Sequence, residues 1–266
     1  MPGHVRARGV LRAEFARAGA VTGLARLYEE GGLRLRCPRI GGGCEAVTIN
    51  TGGGWAGGDA AHCEFSLGLA AAVTITSQSA EKIYRSDGPP ARLEMALRLA
   101  GGASAELLPQ ETILFDKARL DRHLTIDLAA DARLLLLDCT VFGRLAMGEE
   151  AITGQLRDRW QVRRAGELVL AKALRLDGNV RALLDRPALG RGARAIASLL
   201  MVAPDAEAKL DDVRAILAEA PVAAGASAWN GMLLARLATH SPEAMRAVIL
   251  RLLTALRGRG APRVWQ

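Results

Sequence analysis

Aromatic residues are scarce in this chain: four Phe, two Tyr and four Trp among 266 residues, or 4%. Its core must therefore rest on Leu, Val, Ile and Ala, and no aromatic signature of an RNA-stacking surface is present. Long apolar runs are also missing. The leucine run at residues 134–137 falls far short of the roughly 20 residues that span a bilayer as a helix, so a soluble protein with no membrane partner is expected. Residues 1–26 are arginine-rich but lack the continuous apolar segment of a secretory signal. A transit peptide would share this composition, Glu14 being the segment's sole acid, yet the segment runs straight into strand-like sequence and is read as part of the body.

Cysteine is sparse and scattered, at Cys37, Cys44, Cys63 and Cys139, which fits a reducing cytosol better than a disulfide framework. Cys37 and Cys44 could meet across a glycine turn, but no second pair stands at ligand spacing, so core packing is the better reading. Lysine is nearly absent (Lys82, Lys117, Lys172, Lys209), although the net charge is +7 and the pI about 9.8. Such a balance admits acidic partners, but the arginines are dispersed and no zinc-finger spacing appears. A basic β-sheet module for nucleic acid is the alternative reading. Catalytic signatures are missing as well: there is no Gly-x-Ser-x-Gly elbow and no His-Glu-x-x-His. The histidines His4, His62, His123 and His240 lie in unrelated contexts. A hydrolase using Asp59 and His62 is a weaker rival, and we expect a protein that is not an enzyme.

What the chain does have is glycine in a telling place. Residues 50–59 read Asn-Thr-Gly-Gly-Gly-Trp-Ala-Gly-Gly-Asp, five glycines in ten residues. Glycine accepts positive φ and lets other backbone approach closely. The flanks, residues 46–49 and 62–69, read as strands. A phosphate cradle would need Gly-Lys-Ser/Thr entering a helix; here Gly57-Gly58-Asp59 enters a strand and puts an acid where phosphate would sit.

From residue 21 to about 176 the apolar period is two. Leu33 and Leu35, then Leu93, Met95, Leu97 and Leu99, then Leu124, Ile126 and Leu128 alternate with polar residues, giving strands with one buried face. Residues 73–78 and 134–139 are continuously apolar enough to be buried on both faces. Turn signals recur at 30–32, 41–43, 87–90, 101–102, 165–166 and 177–178. There is no strand–helix alternation, which argues against a Rossmann-type sheet. After Asp177 helical stripes are read at 205–219, from Ser227 through Leu237, and from Ser241-Pro242 onward, a capping serine followed by proline at the first helical position. The predicted fold is mainly β, with stacked antiparallel or mixed sheets in a sandwich- or β-helix-like body and a small C-terminal helical layer. Residues 1–180 form the β-rich body and 181–266 the helical segment packed on it, as one continuous domain.

Asp59, His62 and Cys63 together carry the donor types of a transition-metal site. Alternation puts His62 and Cys63 on opposite sheet faces, however, so Cys63 is read as core and His62 as a surface residue. Glu111 lies between apolar residues in 108–115, and a buried carboxylate there must be paired or hydrated. Arg144 and Glu149 flank a glycine-containing turn and are read as an ion pair.

Five motifs in order resemble the urease accessory protein D (UreD) family. They are Gly52-Gly53-Gly54-Trp55-Ala56-Gly57-Gly58-Asp59, Lys82-Ile83-Tyr84-Arg85-Ser86, Leu108-Pro109-Gln110-Glu111-Thr112-Ile113-Leu114-Phe115, Phe142-Gly143-Arg144-Leu145-Ala146-Met147-Gly148-Glu149 and Pro262-Arg263-Val264-Trp265. Two positions depart from the family pattern: Leu107 stands where a Trp is usual, and Asp138 where a Glu is common.

The resemblance implies a cytoplasmic urease maturation factor needed for GTP-dependent nickel insertion. Such a factor binds apo-urease and the accessory proteins F and G, G being the GTPase, and is served indirectly by the nickel carrier E. It implies no tightly bound cofactor, with Ni2+ held transiently along an internal path. On that basis Asp59, Glu111, Asp138 and Glu149 are expected to line a nickel passage, with His62 and Cys63 as lesser candidates. Gly53, Gly54, Gly57, Gly58, Lys82, Tyr84, Pro109, Gln110, Gly143 and Arg144 are the expected framework. Arg263 and Trp265 are the expected partner anchors, Trp and Arg being common at interface centres.

Overall fold

The computed structural model describes residues 6–38, 43–149 and 152–265; the expected turn at 41–43 falls mostly outside them. The strands are β1 (Arg8–Ala18), β2 (Val21–Glu30), β3 (Leu33–Arg36), β4 (Cys44–Asn50), β5 (Ala60–Leu67), β6 (Ala72–Ser77), β7 (Glu81–Ile83), β8 (Ala91–Leu99) and β9 (Ser104–Leu108). They continue as β10 (Thr112–Leu114), β11 (Arg119–Leu128), β12 (Arg133–Phe142), β13 (Gly154–Arg164), β14 (Glu167–Gly178), β15 (Ala195–Val202), β16 (Ala223–Trp229) and β17 (Met232–Thr239). The helices are α1 (Val180–Asp185), α2 (Leu210–Ala218) and α3 (Pro242–Arg257).

Among the described residues these strands form two stacked sheets. The first is seven-stranded, in the order β14-β13-β11-β8-β5-β1-β2; the second is ten-stranded, running β16-β17-β15-β12-β9-β6-β4-β3, with β10 and β7 attached beside β12. Between β4 and β13 the chain passes from one sheet to the other at almost every strand. Sheet neighbours such as β5 and β8, or β6 and β9, consequently run parallel. A parallel pair needs a crossover connection, usually a helix; here the strand of the opposite sheet serves as the crossover. That is why a largely parallel body shows no strand–helix alternation in its sequence. The mainly β class with a small helical part is what the structure has.

Antiparallel pairing enters where β15 joins β12 and β17, and where the chain makes tight hairpins. At β13–β14 the turn is Ala165-Gly166, with φ of 52° and 85°; at β16–β17 it is Asn230-Gly231, with φ of 49° and 70°. Two successive positive φ angles match the twist of flanking strands.

The predicted alternation holds through the body. Leu33, Leu35, Leu97, Leu99, Leu124, Ile126 and Leu128 are buried between the sheets, and residues 134–137 are buried on both faces of β12. One face of β12 joins the inter-sheet core. The other, with Leu135, Leu137, Cys139 and Val141, packs with α2 and α3 in a second core. The strand expected at 62–69 lies at 60–67, and Leu69 is exposed in the turn that follows.

Helix α3 begins and ends as read. The Ser241 hydroxyl accepts from Ala244 N at 3.1 Å, Pro242 opens the helix, and Gly258 closes it at φ 65°. The helix expected from Ser227 to Leu237 is instead the hairpin β16–β17. The apolar run Met232–Ala235 is buried on both sides in an inner strand of the second sheet, one in from its edge, which mimics helical spacing, and Asn230-Gly231 supplies the turn. The C-terminal part therefore adds β15, β16 and β17 to the second sheet as well as α2 and α3.

The glycine loop tests the close-approach argument. A Cβ at Gly57 would overlap the Ser86 side chain and stand 2.7 Å from the Pro89 carbonyl oxygen, whereas one at Gly88 would meet nothing within 4 Å. Gly57→Ala is expected to destabilise the chain by about 1–3 kcal/mol, and Gly88→Ala to stay within about 0.5 kcal/mol. Denaturant unfolding of the two variants checks this.

Candidate functional site

The loop carrying five glycines connects β4 in the second sheet to β5 in the first, so it closes one end of the sandwich. The segment 81–86 lies against it. Trp55 N donates to Lys82 O at 2.8 Å, Tyr84 N to Trp55 O at 2.8 Å, and Tyr84 Oη to Gly53 O at 2.9 Å. A Cβ at Gly54 would sit 2.7 Å from both the Lys82 carbonyl oxygen and the Tyr84 ring. Glycine is required here by contact.

The third and fourth motifs join the same end. β7 pairs with β10, which also pairs with β12. The Tyr84 and Phe115 rings meet edge to face at 5.2 Å, and the Arg144 guanidinium stacks over Phe115 at 4.6 Å. Arg144 Nε donates to Glu149 at 2.7 Å, and the second Glu149 oxygen accepts from Asp116 N at 2.9 Å. The tail comes in from the helical side. Trp265 Nε1 donates to Leu108 O at 3.0 Å, Gln110 Nε2 to Val264 O at 2.7 Å, and Arg246 stacks on Trp265 at 4.7 Å while donating to Glu111 at 2.8 Å. All five sequence motifs thus form one connected assembly.

Beneath it, between the sheets, lies a cavity of about 220 Å3. Its polar lining includes Asn50, Glu81, Lys82, Arg122, His123 and Asp138, with Gln110 and Thr112 beside them; Trp55, Leu136 and Trp160 are among its apolar walls. Glu81 accepts from Asn50 Nδ2 at 3.0 Å, and burial pushes its carboxyl above the usual range despite that bond. Cys63 also lines the cavity; burial pushes its thiol up to about 12, so it is neutral near pH 7.

Arg122 and Asp138 of the cavity lining belong to a box of four charges that extends behind that wall. Arg122 Nε donates to Asp158 at 2.8 Å and Arg122 Nη2 to Asp138 at 2.8 Å. Lys172 Nζ stands 3.4 Å from Asp158 and 3.5 Å from Asp138, and lies 3.7 Å over the Trp160 ring. Arg122, Asp158 and Lys172 belong to the first sheet and Asp138 to the second, so the box bridges them. Burial alone would raise the Asp158 carboxyl, but Arg122 and Lys172 hold it below its ordinary value.

The residues picked from sequence are only partly brought together. Of the four acids, Asp138 lines the cavity. Asp59 is 7% exposed, and its two oxygens accept from Ala7 N at 2.8 Å and Ala56 N at 2.7 Å, which staples the glycine loop to the segment entering β1. Glu111 is held by Arg246, and Glu149 by Arg144 and Asp116 N. His62 faces outward, 2.7 Å from Glu64 and 3.4 Å from Glu94, on the opposite face from Cys63.

Among the described residues no three His, Cys, Asp or Glu side chains are spaced to hold a metal ion. Trp265, expected as an exposed anchor, is 2% exposed and used within the chain, because its ring fills the second core; Arg263 is exposed. Sequence reading missed Glu81, Arg122, Asp158 and Lys172. A signal existed for two of them: Arg122 between Leu120 and Leu124, and Asp158 between Leu156 and Trp160, occupy inward positions of alternating strands.

Removing one member of a buried ion network leaves uncompensated charge, at a loss of about 3–5 kcal/mol. Arg122→Leu is expected to lose stability on that scale in chemical unfolding. Because the folded Asp158 carboxyl is depressed, its contribution is complete above the ordinary aspartate value of about 3.9 and fades as pH falls through the lower folded value. Asp158→Asn should therefore flatten the acid limb of a stability-against-pH curve.

Comparison with known proteins returns the family described as UreD urease accessory protein, whose profile matches residues 7–266. The protein named urease accessory protein UreD from Xanthobacter autotrophicus is 48% identical over 98% of this chain and 90% of its own length. Its namesake from a Methylobacterium species is 48% identical over 94% and 90%, and that from Rhodopseudomonas palustris 44% over 98% and 93%. The family that the five ordered motifs resemble is the family found: the chain belongs to the UreD urease accessory proteins.

Proposed function

We propose that this chain is a cytoplasmic urease maturation factor without catalytic activity of its own. In this reading it binds apo-urease together with accessory proteins F and G and supports GTP-dependent insertion of nickel, which the carrier E supplies upstream. The observation that carries the reading is the polar-lined cavity running beneath the motif assembly, between two sheets that otherwise bury aliphatic side chains.

Nickel is the cargo. A passage must bind it weakly, since tight chelation would stop transfer. The cavity lining suits that role: Glu81 and Asp138 offer carboxylate oxygens, Asn50, Gln110 and Thr112 neutral ones, and Cys63 a protonated thiol. Carboxylate and carbonyl oxygens are hard donors, while thiolate would hold a soft ion more firmly. Glu81 is assigned the principal cargo contact, with Asp138, already paired to Arg122 and Lys172, beside it. Asp59, Glu111 and Glu149, each held by donors of the same chain, frame the entrance in this reading. Arg263, exposed on a tail set in place by Trp265, is assigned a partner contact.

The test is co-expression of the tagged chain with urease subunits and accessory proteins E, F and G, followed by pull-down and metal analysis of the purified urease. Urease is expected to co-purify and to lose nickel and activity when this chain is omitted. Glu81→Gln keeps the hydrogen bond to Asn50 but removes the charge; it should leave the complex intact while reducing urease nickel several-fold. Unchanged nickel removes Glu81 from the passage, and absence of any urease component from the pull-down defeats the maturation reading. Arg263→Ala should reduce co-purification of F with little change in melting temperature.

A further inference from the structure

The second sheet is wider than the first on one side. β14 ends the first sheet, and its Lys172 reaches Asp138 on β12, with β15, β17 and β16 still to come in the second sheet. At one end the gap is closed, where Arg164 of the β13–β14 hairpin donates to Asn230 O at 2.7 Å. Toward the other end it opens into a cleft of about 610 Å3 between β14 and the overhanging strands, walled by small and aliphatic side chains such as Ala173, Ile196, Ala223 and Ala238.

Two groups in this cleft are unused. β14 pairs with β13 along one side, and among the described residues nothing pairs with its other edge. Arg236 lines the cleft, is exposed, and has no hydrogen-bond or ion-pair partner among the described residues. It shares a row across the second sheet with Asp138, Ser198 and Gly225. Asp138 is already neutralised by Arg122 and Lys172, so the charge presented to an occupant is positive. At the mouth stands Leu189, 58% exposed, on a loop that also carries the exposed Arg186 and Arg191.

We propose that this cleft receives an extended segment of a partner protein, which adds a strand to the free edge of β14 and covers the overhanging face of β15, β17 and β16. The chemistry of the segment follows from the walls. Main-chain N–H and C=O groups meet the edge of β14, small apolar side chains meet the alanine-rich floor, and a carboxylate among them meets Arg236. Strand addition of this kind draws affinity from main-chain bonds and specificity from side-chain pockets. The proposal rests on the maturation-factor reading in one respect: the segment belongs to urease or to accessory proteins F or G.

The experiment compares amide hydrogen exchange of the full chain alone and in its purified complex with co-expressed urease and accessory proteins. Exchange in β14 is expected to slow about tenfold or more in the complex. Arg236→Glu should weaken the complex about tenfold, and Arg236→Lys should largely preserve it. A Cβ at Gly225 meets nothing within 4 Å, so Gly225→Phe should fold normally, checked by its melting temperature, yet fill the cleft and block the segment.

A photo-crosslinking residue at position 223, on the cleft face with Gly225, identifies the captured segment, which should contain Asp or Glu. If the complex forms but β14 exchanges as in the free chain, or if Arg236→Glu and Gly225→Phe bind like the parent, the cleft proposal is overturned and the maturation reading stands. A crosslinked segment without an acid also overturns it. If the parent chain captures no urease component, both readings fail.

Discussion

The charge box of Arg122, Asp138, Asp158 and Lys172 is the constraint on which the two-sheet arrangement turns. Aliphatic side chains pack two sheets together with little preference for one offset over another, since a Leu-rich face slid along a Leu-rich face still buries similar area. Ion pairs behave differently. Desolvating four charges is expensive, and their mutual attraction offsets it only when the geometry is close and the hydrogen bonds are made. A displaced sheet would strand Asp138 opposite apolar side chains. The box therefore specifies the offset more than it adds net stability, and that offset decides which walls face the cavity and how far the second sheet overhangs the first.

A second constraint acts at the end of the sandwich. The chain crosses between sheets there through a loop in which Gly54 and Gly57 stand where any side chain would collide with neighbouring groups. Asp59 makes this possible by accepting two backbone N–H groups that the tight path leaves without partners. A carboxylate in a glycine-rich loop reads naturally as a ligand donor, yet here both its oxygens are occupied within the chain. The same holds for Trp265, whose indole N–H and ring close the contact between the tail and residue 108. Residues that look functional because they are chemically conspicuous can be conspicuous for architectural reasons.

Three acidic side chains line the cavity, Glu81, Glu94 and Asp138, whereas Asp59, Glu111 and Glu149 do not, and this suits the proposed route better than a reservoir. No cluster of three metal-binding side chains exists among the described residues, and the one thiol in the lining is kept protonated by burial. Weak, spaced oxygen donors allow a cation to be passed on. The lateral cleft meets the same box from the other side, because Asp138 and Lys172 line it too. The inner cavity and the proposed docking groove thus share Asp138.

Sequence alone determined the mainly β class, the doubly buried stretches 73–76 and 134–137 within the runs read at 73–78 and 134–139, the start and stop of α3, and the family. Each of these depends on local signals: side-chain period, a capping serine with proline, a left-handed glycine, a motif in order. Tertiary structure decided the rest. Residues 227–237 became a hairpin because burial on both faces of an inner strand produces the same apolar density as a helical stripe. Asp59 became a staple and Asp138 a cavity wall because pairing is settled by which groups the winding of the chain brings near, and Ala7, Ala56, Arg122 and Lys172 are distant or unremarkable in the sequence. Arg122 and Asp158 could be suspected from their inward positions, but their partnership across strands could not. A carboxylate's role is set by the donors around it, and those are assembled only when both sheets are in place.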